Sequence, residues 1–263
     1  MSAGAAALLV AAALAAGFVN ALAGGGSLLS FPALTAVGVP ALAANVCNTL
    51  ALTPGYLGAS LGQGRDLAGQ RQRLLRLLPA AALGGLIGAR LLLTSDPALF
   101  ERLVPWLLLS GSGLLAVQEP LRRWLLPRGS ASASEDAAAE SPAPGWGLTA
   151  AVLLAAVYGG YFGAGLSVIL LAVLGTGLND TLPRLNGLKQ PLSLAANLSA
   201  ALHFAFSAPA RWPLVLLMAA GAWLGGLLGG RWASRVDPLL LRRLVVAMGI
   251  TLALLAAASQ GRP

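Results

Sequence analysis

The sequence predicts an all-α polytopic membrane protein of two homologous repeats. Three observations carry that expectation: a composition too apolar for water, apolar runs of membrane-spanning length, and a likeness between the two halves of the chain. Of 263 residues, 57% are hydrophobic and 10% charged, and the mean hydropathy is +0.78. A soluble chain needs about a quarter of its residues charged to cover a core of this size, which excludes a water-soluble globular domain. Cys47, the single cysteine, lies in an apolar stretch, so neither a disulfide framework nor a zinc site can be built. The net charge of +8 comes from 16 Arg and one Lys against 9 acids. The arginines lie between apolar runs, as Arg71, Arg73 and Arg76 or Arg122 and Arg123 do. That pattern flanks membrane spans on the cytoplasmic side and differs from the single basic patch of a nucleic-acid binder.

A hydrocarbon core about 30 Å thick takes about 20 apolar residues of helix. Runs of that kind fall at 3–22, 41–62, 75–94, 103–119, 147–162, 182–207, 213–230 and 242–259. Residues 1–23 also resemble a signal peptide ending Ala21-Leu22-Ala23, but no Lys or Arg precedes the apolar run, which favours a first span. Two shorter apolar stretches, 27–38 and 166–178, each follow a glycine cluster: Gly24, Gly25 and Gly26 in the first case, Gly163 and Gly165 in the second. They are expected to be short or broken membrane segments. Between the fourth and fifth long spans, residues 127–146 (PRGSASASEDAAAESPAPGW) lose hydrophobicity and gather Ser, Pro, Glu and Asp. This stretch reads as a disordered linker between a first transmembrane repeat, 1–126, and a second, 147–263.

The repeat is visible in the residues. Gly84-Gly85-Leu86-Ile87-Gly88-Ala89-Arg90 recurs as Gly225-Gly226-Leu227-Leu228-Gly229-Gly230-Arg231, an offset of 141. The same offset lays 96–104 over 237–245 with six identities in nine, and Asn45 over Asn186; an offset of 139 lays Gly24-Gly25-Gly26 over Gly163-Ala164-Gly165. Each unit thus holds four long helices and one short or broken segment. If the short segments re-enter, Arg65, Arg71, Arg73, Arg76, Arg122, Arg123, Arg128, Arg211 and Arg262 share one side, nine against seven. If they cross, Arg184, Arg231, Arg235, Arg242 and Arg243 join that side while Arg211 and Arg262 leave it, giving twelve against four. The positive-inside rule favours ten crossings, hence two inverted repeats with both termini outside. A dozen helical residues rise only about 20 Å, but extended residues at the glycines add about 3.3 Å each.

On a wheel of 100° per residue, Asn186, Lys189, Gln190, Ser193 and Asn197 fall within about 100° of one another. Asn45, Asn48, Thr49 and Tyr56 form the matching stripe in the first repeat. Pro54 and Pro191 lie inside these helices, where a missing N–H and a ring clash should bend them and free carbonyls. Lys189 stands about eight residues into an apolar span, where a charge needs a partner, an anionic substrate being one; its stem could instead snorkel to the interface. The amides are either substrate ligands or interhelical hydrogen-bond glue. The glycine clusters could aim backbone N–H groups at an anion, with Asn20 beside the first and Ser27 and Ser167 as first-turn donors. Gly84/Gly88 and Gly221/Gly225/Gly229 have the spacing of close helix packing. Asp96-Pro97 and Asp237-Pro238 read as N-caps. His203 falls off the polar face and reads as a packed or interfacial histidine.

All nine acids lie at span ends or in loops, so no carboxylate remains mid-membrane for a cation, a proton relay or an aspartyl dyad. HExxH, GxSxG and P-loop patterns are missing, so no enzyme, metal or cofactor is expected.

The run Asn20-Ala21-Leu22-Ala23-Gly24-Gly25-Gly26-Ser27 followed by Phe31-Pro32, the Asn45-x-x-Asn48-Thr49 stripe, GGLIGAR and their second copies resemble the TauE/SafE-type family of sulfite and organosulfonate exporters. The resemblance covers both repeats. It implies a secondary transporter, in the exporting direction, of a small sulfur-containing anion such as sulfite, sulfoacetate or thiosulfate, in a bacterial inner membrane. Asn20, Gly24, Gly25, Gly26, Ser27, Asn45, Asn48, Thr49, Gly163, Gly165, Ser167, Asn186, Lys189, Gln190 and Asn197 are then the candidate substrate ligands, working by alternating access. An anion channel or uniporter and a non-transporting membrane scaffold are the alternatives. Many members join their halves by a short connection, whereas this chain has a longer, acidic-spotted one. Its expected partners are a small anion and the lipid bilayer, with no nucleic acid.

Overall fold

The computed structural model describes residues 2–125, 144–232, 243, 245–251 and 253–254. Among them the chain is helical with no strand: α1 (Ala3–Leu22), α2 (Ser27–Ala36), α3 (Ala41–Gly62), α4 (Arg71–Thr94), α5 (Pro97–Leu125), α6 (Trp146–Tyr161), α7 (Leu166–Gly177), α8 (Leu182–Ser207) and α9 (Trp212–Trp232). A short 3-10 turn at Gly64–Leu67 joins α3 to α4, and residues 245–251 are helical too. The expected linker lies, apart from residues 144–146, outside the described residues, as do Asp237 and Pro238; Trp146 already opens α6.

Local sequence accounts for the ends of these helices. Ser2 caps α1, its hydroxyl accepting from the Ala5 N–H. Asp96 caps α5 in the expected way, its carboxylate accepting from the Ala98 N–H with Pro97 as first residue. α1 stops where Gly24 and Gly25 take φ of 83° and 84°, and α6 stops before Gly163 and Gly165 at 82° and 85°. This left-handed backbone is open to glycine and strained for other residues. α3 and α8 run on through Pro54 and Pro191.

By length and composition, α1, α4, α9 and residues 97–117 of α5 are long and apolar enough to cross a membrane. α3 and α8 are 22 and 26 residues long. Their hydropathy is lowered by the polar stripes, and those stripes face protein: Asn45, Asn48, Thr49, Lys189, Gln190, Ser193 and Asn197 are all buried. The two striped helices therefore form the centre, with the more apolar helices outside them.

Glycine sets the packing. A β-carbon on Gly84 would stand 2.3 Å from the Leu153 carbonyl oxygen, on Gly85 2.1 Å from that of Ala196, and on Gly88 2.0 Å from that of Val157. In the other half, Gly225 would meet the Leu14 oxygen at 2.0 Å, Gly226 that of Gly55 at 2.0 Å, and Gly229 that of Phe18 at 2.7 Å. Leu14 and Leu153, like Phe18 and Val157, differ by 139; Gly55 and Ala196, like each glycine pair, differ by 141. The contacts thus repeat at the same two offsets as the sequence. They also cross between halves: α4 packs on α6 and α8, while α9 packs on α1 and α3.

The order of contacts gives the directions. Val10, Leu14 and Phe18 meet Gly221, Gly225 and Gly229 in sequence, so α1 and α9 run the same way; Gly55, Gly58 and Gly62 likewise run along α9 from Ala222 to Gly230. α1 and α3 therefore end on the same side, where Gln63 reaches the Ala21 carbonyl, and the chain through α2 returns across the bundle between them. The end of α6 and the turn between α8 and α9 meet the first half of α3, through Asn45 to Tyr161 and through Arg211 to Cys47, so α7 returns in the same way. The equivalent helices α3 and α8 run opposite to one another: Thr53 meets Asn197, while Gln63 further along α3 meets Asn186 earlier in α8.

Replacing Gly88 by Ala should cost about 1–3 kcal/mol, because the new methyl has no room against the Val157 carbonyl. Gly113→Ala, in open space on α5, should leave thermal unfolding in nanodiscs unchanged or raise its midpoint.

Candidate functional site

The two glycine breaks lie against each other at the centre. A β-carbon on Gly24 would touch the Ser167 β-carbon at 2.8 Å, and one on Gly163 would approach the Ser27 hydroxyl at 3.9 Å. Each break thus faces the first turn of the short helix in the other half. Gly26 keeps an ordinary φ of −57°, but its α-carbon is pressed to the Ala16 carbonyl, where a β-carbon would stand at 2.1 Å. The Asn20 side-chain oxygen accepts from the Gly26 N–H at 2.7 Å and so holds the first break in shape. The N–H groups of Ser27 and Ser167 find no acceptor among the described residues. The Ser167 hydroxyl, 1% exposed, has no partner among them either. Two helix N-termini, each with a partial positive charge, therefore present free donors in one buried region.

The stripes reach these breaks from the opposite repeat. Asn45 donates its amide to the Tyr161 carbonyl at 2.8 Å, at the end of α6. Gln190 donates to the Ala21 carbonyl at 2.9 Å, and Asn186 to the same carbonyl at 3.4 Å. Helix ends leave carbonyls without intrahelical partners, and these amides supply the donors. Asn48 accepts from the Ser30 hydroxyl on α2, Asn197 donates to the Ser193 carbonyl, and Thr49 is buried beside them. The Tyr56 hydroxyl faces the Ser167 and Asn197 side chains, which joins the centre of α3 to the first turn of α7. For the amides of Asn45, Asn186 and Gln190, the glue reading thus describes real contacts.

Lys189 differs from all of these. It is 0% exposed, and its Nζ has no hydrogen-bond partner among the described residues. A head group held in the interior does not snorkel. The Ser193 hydroxyl one turn further on and the Ser167 hydroxyl share its unpartnered state, as do two acceptors, the Asn45 and Gln190 side-chain oxygens. His203 is half-buried, beside Phe204.

Two groups escaped the sequence reading. Gln63 donates to Ala21 at 3.2 Å and accepts from Asn186 at 2.8 Å. It lies about five whole turns beyond Asn45 on the same face, so extending the stripe would have found it. The second is a buried clamp at the same end of the molecule. The Asp180 carboxylate takes an ion pair from Arg73 and another from Arg184 at 3.0 Å. Gln70 accepts from Arg73 and donates to the Asp66 and Arg184 carbonyls. This pairing spans more than a hundred residues of sequence and leaves no local signal. Among the described residues, no cluster of His, Cys, Asp and Glu could hold a metal.

The model of the family described as "Sulfite exporter TauE/SafE" matches residues 9–256. The chain belongs to the TauE/SafE family. In this TauE/SafE protein the match takes in both glycine breaks and both striped helices. A "Probable membrane transporter protein" of Haemophilus influenzae is 29% identical over 242 residues, 92% of this chain and 90% of the relative. A "Probable membrane transporter protein ORF9" of Sinorhizobium sp. is 25% identical over 249 residues, 94% and 90% of the two chains. The TauE/SafE chain is thus a multi-pass membrane transporter.

Burial pushes the Asp180 carboxyl up, but hydrogen bonds from Arg73, the Thr181 N–H and Arg184, with the charge of Arg184, outweigh it and hold the group below the ordinary 3.8. A depressed carboxyl contributes stability that is present above the unfolded value and lost as pH falls through the folded one. Asp66, pushed up by burial and partly drawn back by Arg184, works in the opposite sense. Asp180→Asn should therefore lower stability by about 3 kcal/mol near neutral pH by leaving Arg73 buried without its anion. The gap to the wild type should narrow below about pH 4, as read by thermal unfolding across pH.

Proposed function

We propose that this protein is a secondary transporter that exports a small sulfur-containing oxyanion such as sulfite, sulfoacetate or thiosulfate. Binding takes place between the repeats, near the middle of the membrane, by alternating access. The observation that carries the reading is Lys189: a side chain 0% exposed whose Nζ has no partner among the described residues. An ammonium out of water without a counter-charge is expensive, and a bound anion removes that expense. Ser167 and Ser193, buried with unpartnered hydroxyls, add neutral donors, and the first turns of α2 and α7 add backbone N–H groups. Asn20, Gly24, Gly25, Gly26, Gly163 and Gly165 shape the breaks. Asn45, Asn48, Thr49, Asn186, Gln190 and Asn197 line the region between them.

The arrangement we propose in the membrane is two inverted five-segment repeats, with α2 and α7 as broken crossings. The opposed directions of the equivalent helices α3 and α8 support it, as do the return paths through α2 and α7. The side with Arg65, Arg71, Arg73, Arg76 and Arg184 is then cytoplasmic in a bacterial inner membrane. Export of an anion down an inside-negative potential gains about 2.3 kcal/mol per charge per 100 mV, so proton coupling is not required.

Lys189→Met tests the reading. In proteoliposomes, sulfite or thiosulfate flux should fall at least about tenfold, since each tenfold is only about 1.4 kcal/mol of lost interaction. The melting point of the empty protein should hold or rise, because an unpaired buried charge is removed. In the wild type, an anion at about 100 times its dissociation constant should add about 2.7 kcal/mol of stability, a gain absent from the variant. Unchanged flux in Lys189→Met would turn the assignment toward a scaffold or another substrate class.

A further inference from the structure

The two copies in the sequence are not the two units in space. α4, from the first half, lies with its glycines against α6 and α8, while α9, from the second half, lies with its glycines against α1 and α3. At these contacts backbone meets backbone: Gly17, Gly225 and Gly226 would each put a β-carbon within 2.2 Å of a carbonyl oxygen across the interface, and Gly85, Gly88 and Gly160 do the same in the other group. Helices packed so closely cannot slide without opening the contact along its length. The apolar interior follows this division in part, since the larger buried cluster joins Ala89 and Leu92 of α4 and Ala200 and Phe204 of α8 to residues of α1, α3 and α9. The smaller cluster is drawn wholly from α4, α6, α7 and α8 with the adjoining Leu178.

Between the groups α3 packs on α8 as well, but without a glycine of either helix pressed on the backbone of the other. The α3–α8 seam is held at one end by Asn45 to the Tyr161 carbonyl. At the other end Asn186 and Gln190 of α8 reach the Ala21 carbonyl of α1, and Asn186 also donates to Gln63 at the end of α3. These are side-chain hydrogen bonds on swinging amides, each able to exchange its partner for water when the seam parts. In the middle, the Thr53 hydroxyl meets the Asn197 carbonyl at 3.5 Å and the Tyr56 hydroxyl faces the Asn197 side chain.

We propose that the bodies that move past each other during alternating access are the exchanged triads α1–α3–α9 and α4–α6–α8, not residues 1–126 against 147–263. The amides at the two ends of the α3–α8 seam act as its gates: Gln63, Asn186 and Gln190 at the cytoplasmic end and Asn45 at the other. This rests on the transporter reading for its purpose, but the division into bodies is tested without any substrate.

The test places pairs of spin labels on exposed leucines in a Cys47→Ser background in nanodiscs and measures their distances. Leu8 with Leu216 joins α1 to α9, so it crosses the sequence halves within one triad. Leu8 with Leu91 joins α1 to α4, so it crosses the triads within one half. Distances are read with and without sulfite, and again with Gln63→Leu, which removes the Asn186–Gln63 hydrogen bond across the cytoplasmic gate and shifts the balance without ligand. The expected result is a Leu8–Leu91 distance that splits or moves by several ångström while Leu8–Leu216 stays single and fixed. Movement of Leu8–Leu216 with Leu8–Leu91 fixed would overturn the proposal in favour of the sequence halves. Both distances fixed in every condition would overturn it as well. Absence of sulfite flux in a parallel proteoliposome assay would count against the substrate assignment alone.

Discussion

A helix that breaks inside hydrocarbon must find partners for the backbone groups it releases, and most of this structure is arranged around that requirement. Water is absent from a bilayer core, and each unpaired N–H or C=O there costs several kcal/mol. On the membrane arrangement proposed above, two such breaks fall among the described residues, after α1 and after α6. The carbonyls released at Ala21 and Tyr161 are met by amides from the opposite repeat, and the Gly26 N–H is met by Asn20. The polar stripes of α3 and α8 are thus required by the breaks, and the breaks are tolerated because of the stripes. What is left over after this mutual satisfaction is mostly donors, namely backbone N–H groups, serine hydroxyls and one ammonium, with the Asn45 and Gln190 side-chain oxygens as the acceptors among them.

Close packing holds the frame around these breaks. Lipid tails are as apolar as leucine, so helices in a bilayer gain little from burying more leucine against one another. The association rests on contact density, which small residues allow, and the glycines of α4 and α9 bring their neighbours to backbone distance. Because these helices pack across the halves, neither repeat is a self-contained domain. Each lends its fourth helix to the other.

Charge is handled by position. Among the described residues, the buried Asp180 sits outside the spans, where it neutralises Arg73 and Arg184, while Lys189 sits inside without a carboxylate. A buried pair with several hydrogen bonds is tolerated as structure, whereas on the proposed reading the buried lone cation is met by the transported anion. Asp180 and Lys189 lie nine residues apart along the chain, one just before α8 and the other in its first half, and their surroundings differ.

Composition and periodicity by themselves determined the all-helical membrane class and most of the helices. α1, α3 and α8 begin and end where the apolar runs do, and the short segments start after the glycine clusters because left-handed φ leaves little alternative to glycine. The stripes were legible as well, since helical spacing is local, and Gln63 was within reach by counting turns. Only the tertiary structure decided that α4 and α9 change sides, that the Asn45, Asn186 and Gln190 amides serve backbone carbonyls, that Asp180 pairs with Arg73, and that the Lys189 head stays buried. Each of these depends on which helix lies beside which, and a glycine or an amide carries no mark of its partner until packing brings the two together.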